Sequence, residues 1–449
     1  MKAFITLTLL FATSAWANLH LAPPDFNYHE LRATFVDFKK AHYEITYDVK
    51  KKLTTVRSRI EFDSRSLGSP IFDLVPEARN VLLDGMPVKT EEISAPNGSR
   101  LRVANAVISD GEHVLEMENT IRENVKYLWW KRGVHSAFWI RDLKDRMFLE
   151  QYVPSNFEYD QYQMTFVIKF IGNDRLNQDI FTNGEVKELE KNVYQIDFPD
   201  YFTSSCPYFH TTPKGRMRRF DYSYKSISGR EIPMTVYSPW YLKTSSFKRY
   251  SLQVMEELEA DYGAWAHPRF LAYGTIPGTG GMEHSGATAT SLGALDHEML
   301  HSYFAKGVMP ANGNSGWIDE AIARWRDYGY QRLVTPGFES SGIANHSVYN
   351  RQTDSRSYAL GREFMGYLDY RLQDIGGLKA FLKAYFAAYK HQVVTTEHFK
   401  NNLEFFSGLD LTQDFNTYVW GEDRPEEEKA HEESLHHKAL TKKQLLNLL

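Results

Sequence analysis

Two histidines four residues apart enclose an acidic residue in the run His297-Glu298-Met299-Leu300-His301. On an α-helix, positions i and i+4 lie about 40° apart around the axis and about 6 Å along it. Both imidazoles therefore leave one face and can share a single cation, while Glu298 reaches a water at that cation without binding the metal itself. A catalytic zinc normally takes three protein ligands and keeps a further position for water. Residues 302–319 separate His301 from Glu320, which completes a His-His-Glu set. Two neutral imidazoles and one carboxylate leave zinc with net positive charge, which acidifies a water and polarises a carbonyl. These residues predict one zinc per chain, held by His297, His301 and Glu320, with Glu298 as general base.

Such side chains need helices to hold them. Helical spacing runs over 290–304, with Leu292, Leu295, Met299 and Tyr303 on the apolar face, Ser291 or Thr290 as cap, and Gly307 after the end. A second pattern covers 317–330, where Ile318, Ala321, Ile322 and Trp325 form the stripe and Glu320 falls off it. Read alone, Glu320 is a solvated helix carboxylate; beside the histidine pair it becomes a ligand. Further helical patterns cover 251–262, 361–373 and 378–390, and an extended piece at 270–274 interrupts them.

Upstream, from about residue 42 to 198, the period is two. Tyr43, Ile45, Tyr47 and Val49 alternate with polar residues, Lys50-Lys51-Lys52 makes a turn, and Val56, Ser58, Ile60 and Phe62 alternate again. Met164, Phe166, Ile168 and Phe170 repeat the pattern before Gly172-Asn173-Asp174. An antiparallel sheet with one buried face is expected. Tyr127-Leu128-Trp129-Trp130 and Phe138-Trp139 form an aromatic cluster, read as a packed strand pair rather than an interaction surface.

With 449 residues, 42% of them hydrophobic, the chain has material for two or three domains. A formal net charge of −5 with interspersed signs offers no basic stripe, so nucleic acid is not an expected partner. Lys2, the apolar run at 3–11 and Ala15-Trp16-Ala17 read as a secretory signal peptide over 1–17, cut after Ala17. That run is too short to span a bilayer, and no later one is long enough. The expected product is exported, periplasmic or secreted. Cys206 is the single cysteine, which excludes an intramolecular disulfide and a cysteine-rich zinc site. It is expected to be a small residue near a domain junction rather than a nucleophile.

The histidine pair, the eighteen-residue gap and the glutamate within Trp317-Ile318-Asp319-Glu320-Ala321 resemble the gluzincin metallopeptidases of the aminopeptidase N and leukotriene hydrolase type. Gly280-Gly281-Met282-Glu283 is similar to that family's exopeptidase motif, with His284 where Asn is usual. The resemblance implies that this motif binds substrate and that Glu283 anchors a free amino terminus. Tyr358-Ala359-Leu360-Gly361 resembles the family's tyrosine element, which implies that Tyr358 donates to the oxyanion; Tyr349 is the fallback. The implied fold class is α+β. A saddle-like β domain spans 18–204, a thermolysin-like, mostly helical catalytic domain 205–422, and a charged helical tail 423–449. The family's large helical carboxy-terminal domain has no counterpart here, which leaves substrate length open. Peptides with a free amino terminus are the implied substrates and oligomeric state is open. A broader endopeptidase and a non-catalytic zinc-stabilised binding protein are the competing readings.

Overall fold

A computed structural model describes residues 18–128 and 133–421. The signal-peptide segment, Trp129, Trp130 and the charged tail lie outside the described residues.

The amino-terminal half is built from sheets of five, eight and four strands. In the eight-stranded sheet, β1 (Asp37–Asp48) and β2 (Leu53–Ser64) form a long antiparallel hairpin. Tyr43, Ile45, Tyr47, Val56, Ile60 and Phe62 all point into the core, as period-two alternation requires. β3 (Gln163–Ile171) joins β1 in parallel, from Gln163 beside Lys40 to Ile171 beside Asp48. The expectation of a purely antiparallel sheet is corrected here. Alternation reveals which face of a strand is buried but not its neighbour's direction, and the long stretch between β1 and β3 supplies the crossover that a parallel pair needs. The two parallel strands also meet through aromatic register partners on the buried face, with Tyr43 edge-on to Phe166 and Tyr47 stacked on Phe170. Tyr127 pairs with Val134 across a short hairpin, and Phe138 stacks on Tyr152. The strand Phe209–Pro213 also belongs to the four-stranded sheet, which carries the β region past the change of pattern near Ser204.

A second sheet system holds the helices that carry His297, His301 and Glu320. Its strands run in the order β4 (Met217–Lys225), β5 (Glu231–Pro239), β6 (Phe270–Gly274), β8 (Ala287–Thr290) and β7 (Gly281–His284), so β7 is an edge. One face packs under α1 (Thr244–Tyr262) and α2 (Leu295–Leu300) through Met234, Val236, Phe270 and Ala272. Then follow α3 (Trp317–Asp327), α4 (Leu360–Arg371), α5 (Gly377–Tyr389) and α6 (Thr396–Ser407). α3 has acidic Asp319 and Glu320 in its first turn and Arg324 and Arg326 in its last, the arrangement that suits the helix dipole. Gly361 lets α4 approach α3 closely, since a Cβ there would lie 2.7 Å from that of Ala321.

The helix carrying the histidines is shorter than its periodicity predicts. Thr290 is a strand residue, paired with Gly274 and Gly281, and Leu292–Ala294 is a 3-10 turn. Neither expected cap forms: Ser291 makes no side-chain cap bond, and the Thr290 hydroxyl donates to the Ser291 carbonyl. Strand pairing at residue 290 overrides a helical pattern that apolar spacing alone cannot delimit. His301 closes α2 with helical backbone angles, so the i, i+4 relation to His297 survives.

Candidate metal centre and its surroundings

α2 and α3 bring His297, His301 and Glu320 to one point. The Nε2 atoms of His297 and His301 lie 3.2 Å apart. Glu320 Oε2 lies 3.4 Å from His297 Nε2 and 3.8 Å from His301 Nε2. Ligand bonds of about 2.0–2.1 Å in tetrahedral array put ligand atoms about 3.3 Å apart, so this triangle matches the base of a zinc tetrahedron. Glu320 Oε2 is buried without a hydrogen-bond donor, as a metal-facing oxygen should be.

The outer atoms of these three side chains are occupied by the protein. His297 Nδ1 donates to Asp327 Oδ2 at 2.9 Å, and His301 Nδ1 donates to the Phe304 carbonyl at 3.3 Å. Those bonds fix the tautomer that turns both Nε2 atoms inward. Glu320 Oε1 accepts from the Tyr358 hydroxyl, whose ring lies parallel to that of His297. Burial opposes charge on His297, yet the bonds to Asp327 and Glu320 outweigh it and push its pKa up to about 11. His301, enclosed, is pushed down to about 4 by burial. The field at the focus of the triangle favours positive charge, and the donor set fits zinc.

Glu298 lies buried on the strand side of α2. Burial raises its pKa well above the carboxylate range; His297 works against this, and Glu283, Glu320 and Asp142 add to it. A raised carboxylate is suited to taking and returning a proton. Gly281 on β7 abuts it so closely that a Cβ there would overlap the Glu298 carboxyl. Gly280 is left-handed, with φ of 68°. The two glycines of the motif therefore serve the turn into β7 and the seat of Glu298. Met282 points to the opposite face of β7 and is half-buried.

Glu283 is buried, and its carboxylate is already partnered: Lys306 Nζ lies 3.5 Å from Oε1. Lys306 is itself buried and donates to Ser205 Oγ at 3.1 Å. Burial works against its charge, but Glu283 together with Cys206, Asp319 and Asp142 outweighs that and keeps it above the usual lysine value. Glu283, Glu298 and His301 make a second group whose ligand atoms lie within 4.8 Å of one another. Lys306 beside Glu283 disfavours a cation there, and His301 Nε2 is committed to the first group.

His284 faces the other way. Its Nδ1 donates to the Pro207 carbonyl at 2.9 Å, its ring meets Tyr208 edge-on, and burial pushes its pKa down to about 3. It is a neutral packing residue at the junction of the two halves. Cys206 is buried at the same junction, where its carbonyl accepts from Asn183 and its Sγ lies 3.7 Å from Met309 Sδ.

Tyr349 is corrected as an oxyanion candidate. Its hydroxyl donates to the Pro24 carbonyl at 2.8 Å and its ring stacks on Phe35, inside the amino-terminal core. Asp327, Lys306, Asp319 and Asp142 are site residues that the sequence reading did not single out. Asp327 had a signal, since it stands seven residues after Glu320 and so on the same face of α3. Asp142 comes from the amino-terminal half; burial and the carboxylates of Glu283 and Glu320 hold its pKa well above the usual range.

No family model matches the chain, and no curated protein matches it. Solved structures do share its fold. Native leukotriene A4 hydrolase from yeast is 14% identical, with a TM-score of 0.58 over 87% of this chain and 69% of that one. The same enzyme in complex with bestatin gives 15% identity and a TM-score of 0.60, over 87% and 68%. An M1 zinc metallopeptidase from Deinococcus radiodurans is 13% identical, with a TM-score of 0.61 over 87% of this chain and 94% of that one. At these identities the likeness is one of fold.

Proposed function

We propose that the protein is a zinc-dependent aminopeptidase, and the observation that carries this reading is the inward-facing triangle of His297, His301 and Glu320 with Glu298 on one flank. A mutant of the similar Deinococcus metallopeptidase has been solved with a Tyr-Ser-Ala substrate, which supports peptides as the substrate class. Bound zinc would supply a Lewis acid that polarises a carbonyl and acidifies a water. Glu298 takes a proton from the attacking water and returns it to the leaving amine. Tyr358, neutral, spends its one hydroxyl proton on Glu320 in the resting site and turns that proton to the carbonyl oxygen as the oxygen gains charge. Glu283 pairs with the substrate ammonium and sets the first peptide bond in register. A structural zinc site has no use for Glu298, which weighs against a non-catalytic binding protein.

One observation favours a second reading. Lys306 already neutralises part of Glu283, which weakens the preference for a free amine and would admit amino-blocked or internal bonds. Metal analysis of purified protein, with aminoacyl arylamides compared against amino-blocked quenched peptides, tests both readings. One zinc per chain with cleavage of the free-amine substrates supports the first; equal cleavage of both classes supports the second; zinc without turnover rejects both. Export after removal of residues 1–17 is part of the proposal, tested by the amino terminus of the mature protein. Among the described residues no helix is long and apolar enough to cross a membrane.

A further inference from the structure

Between α3 and the 3-10 turn Ser355–Tyr358 the chain runs over 328–354 without a helix or strand. Crossings of that length inside a folded unit are uncommon and need something to hold them. This one must deliver Tyr358 to Glu320. Its anchor is Arg351, which is 2% exposed and sits in the amino-terminal half. Arg351 Nε donates to Glu158 Oε2 at 2.9 Å, and Nη2 donates to Glu158 Oε1 and to Ser204 Oγ. Its Nη1 lies 2.8 Å from Glu150 Oε2 and 3.5 Å from Asp73 Oδ2. The guanidinium also lies over the rings of Phe148 and Phe157, at 4.8 and 5.0 Å from their centroids. Arg146 holds Asp73 from another side at 2.7 Å.

A buried ionic cluster is a poor source of stability but a good source of fixed geometry, because each group has few alternative partners. The residues next to Arg351 convert that geometry into a position at the metal centre. The Thr353 amide donates to the Asp142 carbonyl at 2.9 Å, which ties the crossing to the segment that brings Asp142 to the site. The backbone at Gln352 and the Thr353 hydroxyl occupy the space over Gly313 and Gly316, just before α3 begins. Asp354 then caps the turn by accepting from the Arg356 amide at 2.8 Å, and the Ser357 amide donates to the Asp354 carbonyl at 2.9 Å. Tyr358 follows, with its hydroxyl on Glu320.

We propose that Arg351 is a positioning residue, which docks the 328–354 crossing into the amino-terminal β region and thereby sets Tyr358 against Glu320. The amino-terminal half is then a working part of the metal centre. The effect on turnover rests on the aminopeptidase reading; the docking does not.

Arg351→Lys keeps the charge but loses the forked contact to Glu158, and Arg351→Met removes both. Turnover is read with hydrogen exchange over 350–360 and, as control, over α5. A displacement of about 1 Å at a catalytic group costs on the order of 10²-fold. In Arg351→Met, kcat should fall by that order with KM within about twofold, and Arg351→Lys should recover part of the loss. In a Tyr358→Phe background, Arg351→Lys should cause no further fall. Exchange should quicken at 350–360 and stay unchanged in α5. If Arg351→Met does not fold, Arg351→Lys and Glu158→Gln carry the same test. Additive losses with Tyr358→Phe, or quickening spread equally to α5, would overturn the proposal. So would unchanged exchange at 350–360. If the wild-type protein cleaves no peptide, the exchange comparison still decides the docking, so the two failures remain distinct.

Discussion

Gly281 and Glu298 are in such close contact that no side chain can stand between them. The edge strand β7 and the helix α2 meet at this point, and the carboxyl of Glu298 fills the volume that any other residue at 281 would claim. Gly281→Ala should displace Glu298 and lower kcat by roughly 10²-fold, the scale of a lost or misplaced general base. Zinc content should stay at one per chain, because the three ligands lie on α2 and α3. Turnover at the wild-type rate would mean that Glu298 works from another position.

Metal retention separates the roles of the neighbouring groups. His301→Ala should lose stoichiometric zinc, since two ligands remain of three. Glu298→Gln should keep zinc and lose about 10²–10⁴ in turnover. Asp327→Asn should bind zinc about 10- to 100-fold more weakly, because Asp327 orients His297 from outside the triangle. Zinc affinity measured by competition with a chelator checks the first and third variants. A wild-type affinity in Asp327→Asn would assign the orientation of His297 to packing alone.

The parts of this site that could be read from sequence are those carried by short motifs. His297, Glu298 and His301 follow from helical spacing, Glu320 from the need for a third ligand beside the histidine pair, and Glu283 from the resemblance of Gly280-Gly281-Met282-Glu283 to a family motif. Asp327 obeys the same spacing and could have been included. Lys306, Asp142 and Arg351 were not legible, because each acts across a contact between segments remote in sequence. The parallel pairing of β1 with β3 was hidden for the same reason: alternation at Tyr43 or Phe166 is identical for either strand direction. Tyr358 is preferred over Tyr349 in sequence only by its resemblance to a motif, and the structure separates the two: Tyr349 bonds the Pro24 carbonyl in the amino-terminal core, whereas Tyr358 bonds Glu320.

Tyr358→Phe should lower kcat by about 10²–10³-fold, the usual scale for a removed oxyanion donor, with little change in KM. The hydroxyl also bonds Glu320, so the variant separates two roles. A catalytic donor leaves zinc affinity nearly unchanged on removal. A fall in zinc affinity that accounts for the whole loss of turnover at subsaturating metal would reassign Tyr358 to ligand orientation.

The pairing of Glu283 with Lys306 decides how the amine anchor must be tested. Glu283→Ala would leave Lys306 buried with Ser205 as its remaining polar contact, and breaking a buried pair from one side costs about 3–5 kcal/mol. Loss of activity in that variant would confuse misfolding with loss of the anchor. Glu283→Gln keeps the shape and a polar contact while removing the charge. A charge-assisted hydrogen bond contributes about 1.5–3 kcal/mol, so kcat/KM on aminoacyl arylamides should fall at least about tenfold. Amino-acetylated peptides do not use the anchor and should change little. Lys306→Gln acts in the opposite sense: it keeps a polar contact to Glu283 but removes the internal cation, so KM for free-amine substrates should drop while that for blocked ones should not. The ratio of the two activities is therefore expected to move down in Glu283→Gln and up in Lys306→Gln. A ratio that stays constant in both variants would reject Glu283 as the amine anchor and leave the endopeptidase reading.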